Sequence, residues 1–297
     1  MLLAYGGPLC LADVEPYLLD VRRGRPVPPD LLEEVQERYR LIGGKSPLLE
    51  ITRRQAAALH RRMESDGLRC RTFVGMRHWH PYIRDAVQEI SAGGFRRVVA
   101  ICMAPQFSNM SVGAYMEQTE MACREVDPPL EVKFVQSWHL EPHFIEACAD
   151  NLRAGIDAIG GDDGLAILFT AHSLPERIVA AGDPYPLHLR ETVDAVRRRV
   201  QIGFASFAYQ SQGRTGDQWL GPDAGDEIRR LHSMGFHKLL IHPIGFVADH
   251  VEILYDDDIL YRRQAEQLGL TFGRVSSCND SPLFIESLYH TVRASLS

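Results

Sequence analysis

Short apolar runs alternate with longer amphipathic stretches along the whole chain. Runs at 2–5, 70–75, 97–103 and 131–136 fill the first half, and runs at 165–170, 204–209, 238–243 and 270–275 fill the second. Runs of this length, separated by helix-length segments, predict parallel strands joined by crossover helices. The spacing of apolar positions predicts helices over 30–40 with Asp30 as N-cap, over 52–64 from Thr52, and over 81–91 with Pro81 in the first turn. Another helix is expected from about Ala248. At 3.6 residues per turn it places Asp249, Glu252 and Asp256 on one face, and Val247, Val251 and Leu254 on a core-facing one.

The two halves share local wording. Gly94-Phe95-Arg96-Arg97 precedes VVAICMAP, as Gly235-Phe236-His237-Lys238 precedes LLIHP; LLAYGGP at 2–8 parallels LFTAHSLP at 168–175. The expected fold is therefore α/β, with two similar Rossmann-like domains, each a four-stranded parallel sheet flanked by helices. Residues 1–137 with 276–297 would form one domain and 138–275 the other. Ligands of open parallel sheets bind beyond the carboxyl ends of the strands. The unusual polar residues collect there: Tyr5, Arg77, His78, His172, Gln210 and the segment from Pro243 to Glu252.

Composition narrows the function. A chain of 297 residues can bury a large core. Its net charge of −7 disfavours a general nucleic-acid role. Six scattered cysteines (Cys10, Cys70, Cys102, Cys123, Cys148, Cys278), with no C-x-x-C pair, argue against a zinc or iron–sulfur site. Cys102 reads as a small buried hydrophobe. No stretch approaches the ~20 apolar residues of a membrane span. A strand at the very start leaves no room for a signal peptide, so a cytoplasmic protein is expected.

Three segments carry chemistry. FTAHSLPERI at 169–178, followed by GDPYP at 182–186, sets His172 just past a buried strand, where an imidazole can bind a borderline metal or take a proton. A histidine bonded only to a loop carbonyl is the plain alternative. HPIGFVADHVEILYDDDI at 242–259 offers a row of carboxylates able to conduct a cation or shuttle protons; otherwise it is a solvated acidic face. VRRGRP at 21–26 brings Arg22, Arg23 and Arg25 together, a cluster that could grip carboxylates or simply lie in solvent. Ser46 in GGKSP and Tyr115 are further donors. Trp79 reads as core, and Trp219 as either core or a stacking surface.

Taken together, AHSLP, GDPY, Gln210-Ser211 with Gly213 and WLGP at 219–222, and the run Asp249, His250, Glu252, Leu254, Tyr255 resemble the ferrochelatase family. YRLIGGKSP at 39–47 and PQFS at 105–108 extend the resemblance over nearly the whole chain. It implies a porphyrin held in a cleft enclosed by the two sheets, with His172 and Glu252 facing each other across it and handling Fe²⁺ and the pyrrole protons. It also implies Tyr5 against the other face of the ring as axial ligand of the product, and Arg22, Arg38, Tyr39, Ser46 and Tyr115 in contact with the porphyrin or its carboxylates. Tyr5 resembles the bacterial branch that metallates coproporphyrin III. Arg77 replaces the lysine of the family's G-x-K-H segment, and Leu260 replaces an acidic residue. Fe²⁺ enters as substrate, with no cofactor and no iron–sulfur cluster expected. Other haem-pathway enzymes are candidate partners. The rival readings are a protoporphyrin IX ferrochelatase, a cobalt or nickel tetrapyrrole chelatase, and a non-catalytic haem carrier.

Overall fold

A computed structural model describes residues 1–213 and 216–296. The chain divides into two compact units, Met1–Trp138 together with the segment from Asn279, and His139–Cys278.

The first unit runs β1 (Leu2–Ala4), α1 (Val14–Val21), α2 (Pro29–Leu41), α3 (Leu48–Ser65), β2 (Val74–Met76), α4 (Ile83–Ala92) and β3 (Arg97–Cys102). A π-helical turn, Asn109–Gly113, leads into α5 (Ala114–Glu125) and β4 (Glu131–Val135). Its sheet is parallel in the order β2-β1-β3-β4. Leu3, Ala100 and Cys102 of the sheet pack with Val87 and Ile90 of α4 and Ala122 and Cys123 of α5. The final helix, Pro282–Leu296, returns to this unit and packs on α3, tied by Arg62 Nε to Glu286 Oε1 at 2.6 Å.

The second unit runs α6 (Pro142–Ala158), β5 (Leu165–His172), α7 (Arg177–Ala180), α8 (Tyr185–Arg197), β6 (Ala205–Gln210), α9 (Ala224–Ser233) and β7 (Lys238–His242). A longer π-helical segment, Glu252–Tyr261, continues as α10 (Arg262–Gln267) before β8 (Thr271–Arg274). The parallel order is β6-β5-β7-β8, the same winding as in the first unit. Every residue of β5 from Leu165 to Ala171 is buried, as a central parallel strand covered on both faces must be. Each unit also places a π-helical segment after its third strand. No helix among the described residues is long and apolar enough to cross a membrane.

Several elements differ from the sequence pattern, each for a local reason. The helix expected from Asp30 starts at Pro29 with Pro28 as N-cap, because a proline nitrogen has no hydrogen to leave unsatisfied in the first turn. Thr52 lies inside α3, its hydroxyl bonded back to the Leu48 carbonyl. Pro81 stays outside α4: its carbonyl accepts from Met76 N at 2.7 Å, and Tyr82 takes the N-cap. The run at 70–75 yields a shorter strand shifted to Val74–Met76, although Phe73 O still accepts from Leu2 N. Trp79 is half-buried rather than core, edge-on to Tyr17.

The largest departure is the acidic helix. Its i→i+5 hydrogen bonding widens the turn, so a 3.6-residue count no longer says which residues share a face. Ile253, Asp256, Asp257 and Tyr261 are the buried positions, while Val251 and Leu254 are only half-buried. Asp249 lies ahead of the π turn and turns away from Glu252. It accepts from Ser277 Oγ at 2.8 Å and Arg274 Nη1 at 3.3 Å.

Candidate active site

In each sheet the chain leaves the second-position strand toward opposite edges, creating a topological switch point between β1 and β3 and between β5 and β7. Ligands of doubly wound sheets bind at such points, beyond the strands' carboxyl ends. In the second unit the residue at that address is His172, the last of β5, paired in register with Gln210 of β6.

Glu252, delivered by the loop after β7, meets it: His172 Nδ1 and Glu252 Oε2 are 2.9 Å apart. The two side chains keep 36% and 28% of their surface open, so the pair is tight yet reachable. Rather than facing each other across open space, the two groups touch. Burial pulls the His172 pKa down, but the Glu252 charge, their hydrogen bond and the Asp256 charge outweigh it, leaving it above the ordinary value of 6.5. Burial likewise pushes Glu252 upward and is overcome by the His172 charge and hydrogen bond, so its carboxyl stays below the usual range. Their coupling therefore favours the imidazolium–carboxylate form of the pair.

The surroundings explain why several distant motifs belong together. The AHSLP loop is clamped by the WLGP segment: Leu220 N donates to Leu174 O, Ser173 Oγ to Leu220 O, and Pro175 and Trp219 form an antiparallel bridge. Trp219 needs Gly213 beneath it, since a Cβ there would stand 2.6 Å from the indole. Tyr185, from GDPYP, donates its hydroxyl to the His172 carbonyl at 2.9 Å. Gly245 lies so close to β5 that a Cβ would meet Ala171 Cβ at 2.6 Å. Gln210 Nε2 holds the Glu252 carbonyl at 3.3 Å, and Ser211 Oγ donates to Asp256 Oδ2 at 2.5 Å. His250 stands 3.9 Å from Glu252 with its Nδ1 on Ala248 O. Burial lowers its pKa, so it is a neutral neighbour whose Nδ1–H donates to that carbonyl.

Behind this row Asp257 is fully buried, and neither of its carboxylate oxygens meets a hydrogen-bond donor in good geometry among the described residues. Burial first, then the neighbouring Asp256 charge, pushes its pKa well up, which favours the protonated form. The spacing pattern missed Asp257, and it singled out neither the role of Tyr185 nor that of Gly245. The signal for Tyr185 and Gly245 lay in the quoted motifs GDPYP and HPIGF.

The first unit assembles a separate group. Tyr5 follows β1, is 40% exposed, and stacks at a tilt on His78, centroids 4.7 Å apart. His78 and Arg77 donate their backbone N–H groups to Tyr5 O and Ala4 O, and His78 Nδ1 meets Asp20 Oδ2 at 2.8 Å. The Arg77 guanidinium lies 5.3 Å over the Tyr115 ring, which is buried and begins α5 after the π turn. Ser46 and Tyr39 are both buried beside Gly7, where a Cβ would come within 2.7 Å of Ser46 Oγ. Ser46 Oγ accepts from Leu48 N at the start of α3. The two arginines make local contacts: Arg22 Nε on Pro26 O at 3.1 Å, and Arg38 on Glu34 at 2.7 Å. Sequence reasoning thus named residues that the fold gathers around β1 (Tyr5, Tyr39, Ser46, Tyr115) and two that lie on helix and loop surfaces (Arg22, Arg38).

A duplicated doubly wound fold with an accessible imidazole–carboxylate pair at a switch point, backed by further carboxylates, defines a metal-handling protein of the chelatase fold. Comparison with known proteins makes this specific. A model of the ferrochelatase family matches residues 1–296. A ferrochelatase from Deinococcus radiodurans is 41% identical over 294 residues, covering 97% of this chain and 92% of that protein. A coproporphyrin III ferrochelatase from Halalkalibacterium halodurans is 36% identical over 300 residues, covering 100% of this chain and 96% of its own length. Among solved structures, SirB from Bacillus subtilis with Fe³⁺ superposes with a TM-score of 0.59 at 11% identity, covering 81% of this chain and 88% of that one, a likeness of fold. The chain belongs to the ferrochelatase family. It is accordingly a lyase that inserts iron into a porphyrin.

Proposed function

We propose that the porphyrin is coproporphyrin III, and that His172 and Glu252 handle the iron and the pyrrole protons. The observation that carries this reading is the 2.9 Å contact between the two side chains at the carboxyl end of β5. Support for the ring comes from the full-length relative that metallates coproporphyrin III by name, and from the exposed phenol of Tyr5.

Metallation breaks two pyrrole N–H bonds, forms four iron–nitrogen bonds and releases two protons. Fe²⁺ approaching Glu252 displaces the imidazolium proton, because a cation and a proton compete for the same negative charge. The neutral imidazole then accepts a pyrrole proton. Ser211 and Asp256 stand next in line to carry protons away from Glu252. Tyr5 offers its phenol oxygen to the metal of the product, and Arg22, Arg38, Tyr39, Ser46 and Tyr115 contact the ring or its carboxylates. Fe²⁺ replaces two protons with no change of oxidation state, so the reaction calls for neither a redox cofactor nor an iron–sulfur cluster. The free cysteines suit the reducing cytoplasm.

Anaerobic assays with Fe²⁺ and either coproporphyrin III or protoporphyrin IX test the ring, with the first expected to be metallated faster. A faster protoporphyrin reaction refutes that choice. His172→Ala is expected to lose at least about 100-fold in rate, the usual worth of a placed proton acceptor. A folded variant that metallates at the wild-type rate refutes the role of the pair.

A further inference from the structure

The second unit holds a second cluster of metal-ligating side chains that the reaction does not use. His188 and Glu191 lie three residues apart on α8 and therefore share a face. His139, from the segment ahead of α6, stacks on His188 with centroids 3.9 Å apart and 15° between the planes. Its Nε2 is 2.8 Å from Glu191 Oε2. One ligand atom from each of the three lies within 4.8 Å of the other two. His139 is buried while His188 and Glu191 are half-buried, so the cluster is backed by protein on one side and open on the other.

Two features prepare it for a metal. The Thr192 hydroxyl is shared between His188 O at 2.7 Å and His139 O at 3.4 Å, so one group holds the backbone of both histidines. The stacking sets the two imidazole rings face to face, with a nitrogen of each close enough to share one ion. The carboxylates of Glu191 and the nearby Asp183 add the negative charge that a dication needs.

We propose that His139, His188 and Glu191 form a binding site for a borderline divalent transition metal of the Zn²⁺ kind, separate from the His172–Glu252 pair. Two imidazole nitrogens and one carboxylate oxygen are a zinc-type donor set with a fourth position left to water. Hard cations such as Ca²⁺ and Mg²⁺ prefer oxygen donors throughout. Metal–nitrogen bonds of ~2.1 Å place tetrahedral ligand atoms about 3.4 Å apart, which small side-chain rotations reach from the present separations. A metal here pins α8 to the segment before α6. Because α8 begins at Tyr185, which holds the His172 carbonyl, the site also steadies the catalytic loop.

The test uses the full chain, stripped of metal, with His172→Ala and Glu252→Gln already introduced so that the catalytic pair contributes no binding. Calorimetric titration with Zn²⁺, and the visible absorption of added Co²⁺, should report one ion per chain in a nitrogen–oxygen site. Adding His188→Ala should weaken Zn²⁺ binding at least about 100-fold, and adding Glu191→Gln at least about 10-fold, with the Co²⁺ spectrum changed in both. The Glu191→Gln change keeps the side-chain shape and serves if the alanine variant does not fold. No Zn²⁺ binding by the parent, or unchanged affinity and stoichiometry in Glu191→Gln, overturns the proposal. Neither outcome bears on the catalytic pair, which is absent throughout.

Discussion

Gly245→Ala tests whether the close approach of the loop after β7 to β5 sets the position of His172. Gly245 does not have a positive φ, so its backbone accepts alanine and only space decides the effect. The added Cβ would lie 2.6 Å from Ala171 Cβ and 2.9 Å from Ala171 Cα, against an ordinary carbon–carbon separation of about 3.5–4.0 Å. The segments must therefore part by about 1 Å. Ala171 is fully buried in the central strand and cannot swing away, so the displacement passes to the loop and to the next residue, His172. Overpacking of this kind costs about 1–3 kcal/mol. A 1 Å error in placing a reacting group costs about 100-fold in rate. The measurements are anaerobic iron insertion and thermal unfolding of the same preparation. Gly203→Ala serves as the control, because nothing lies within 4 Å of its Cβ position. A Gly245→Ala enzyme with unchanged melting temperature and full activity would refute the argument that this contact positions the imidazole.

Four further outcomes follow from the same unit. The raised His172 pKa means that metallation should climb as pH rises through a value above 6.5, and Glu252→Gln should move that limb to lower pH while slowing the reaction; pH–rate profiles of both proteins check this. In stability, the raised His172 contributes fully below its ordinary pKa and is lost as pH rises through the folded value, whereas the depressed Glu252 contributes above its ordinary value of 4.5 and is lost as pH falls through the folded one, so Glu252→Gln should lose stability most between these limits. Tyr185→Phe removes the hydroxyl from the His172 carbonyl and should cost about 1 kcal/mol in urea unfolding together with a fall in kcat, because the carbonyl is left without its donor. Asp257 is an acid whose pKa rises on folding, so the folded state binds its proton more tightly and stability falls as pH climbs above 3.8. Asp257→Asn should flatten that fall, at most about 1.4 kcal/mol per pH unit, in melting curves between pH 5 and 8.

The strands were the most readable part of the chain. Central parallel strands such as β5 and β7 are buried on both faces and appear as unbroken apolar runs, and the Gly-Phe turns before β3 and β7 exposed the repeat. His172 could be found because it ends such a run. Helix starts were misread where proline supplied a start signal that Asp30 and Thr52 seemed to carry. The acidic helix was illegible because a count of 3.6 residues per turn does not hold along a π-helix, and because burying Asp256 and Asp257 contradicts any rule that places charge outside. Tyr185 and Gly245 act through contacts with residues far along the chain. Neither a phenol after Asp-Pro nor a glycine after Pro-Ile shows in isolation what it will touch.

The π-helical stretch from Glu252 to Tyr261 makes this part of the gene sensitive to length more than to spelling. Leu260 is 45% exposed, and its side chain can be exchanged with little penalty. Removing any one residue between Glu252 and Tyr261 would let the wide coil close to the ordinary pitch and rotate everything beyond it by about 100°. Tyr261 would then leave its pocket, and Asp256 and Asp257 would trade surroundings. Homologous chains compared over this interval should therefore differ by substitution while keeping an identical residue count.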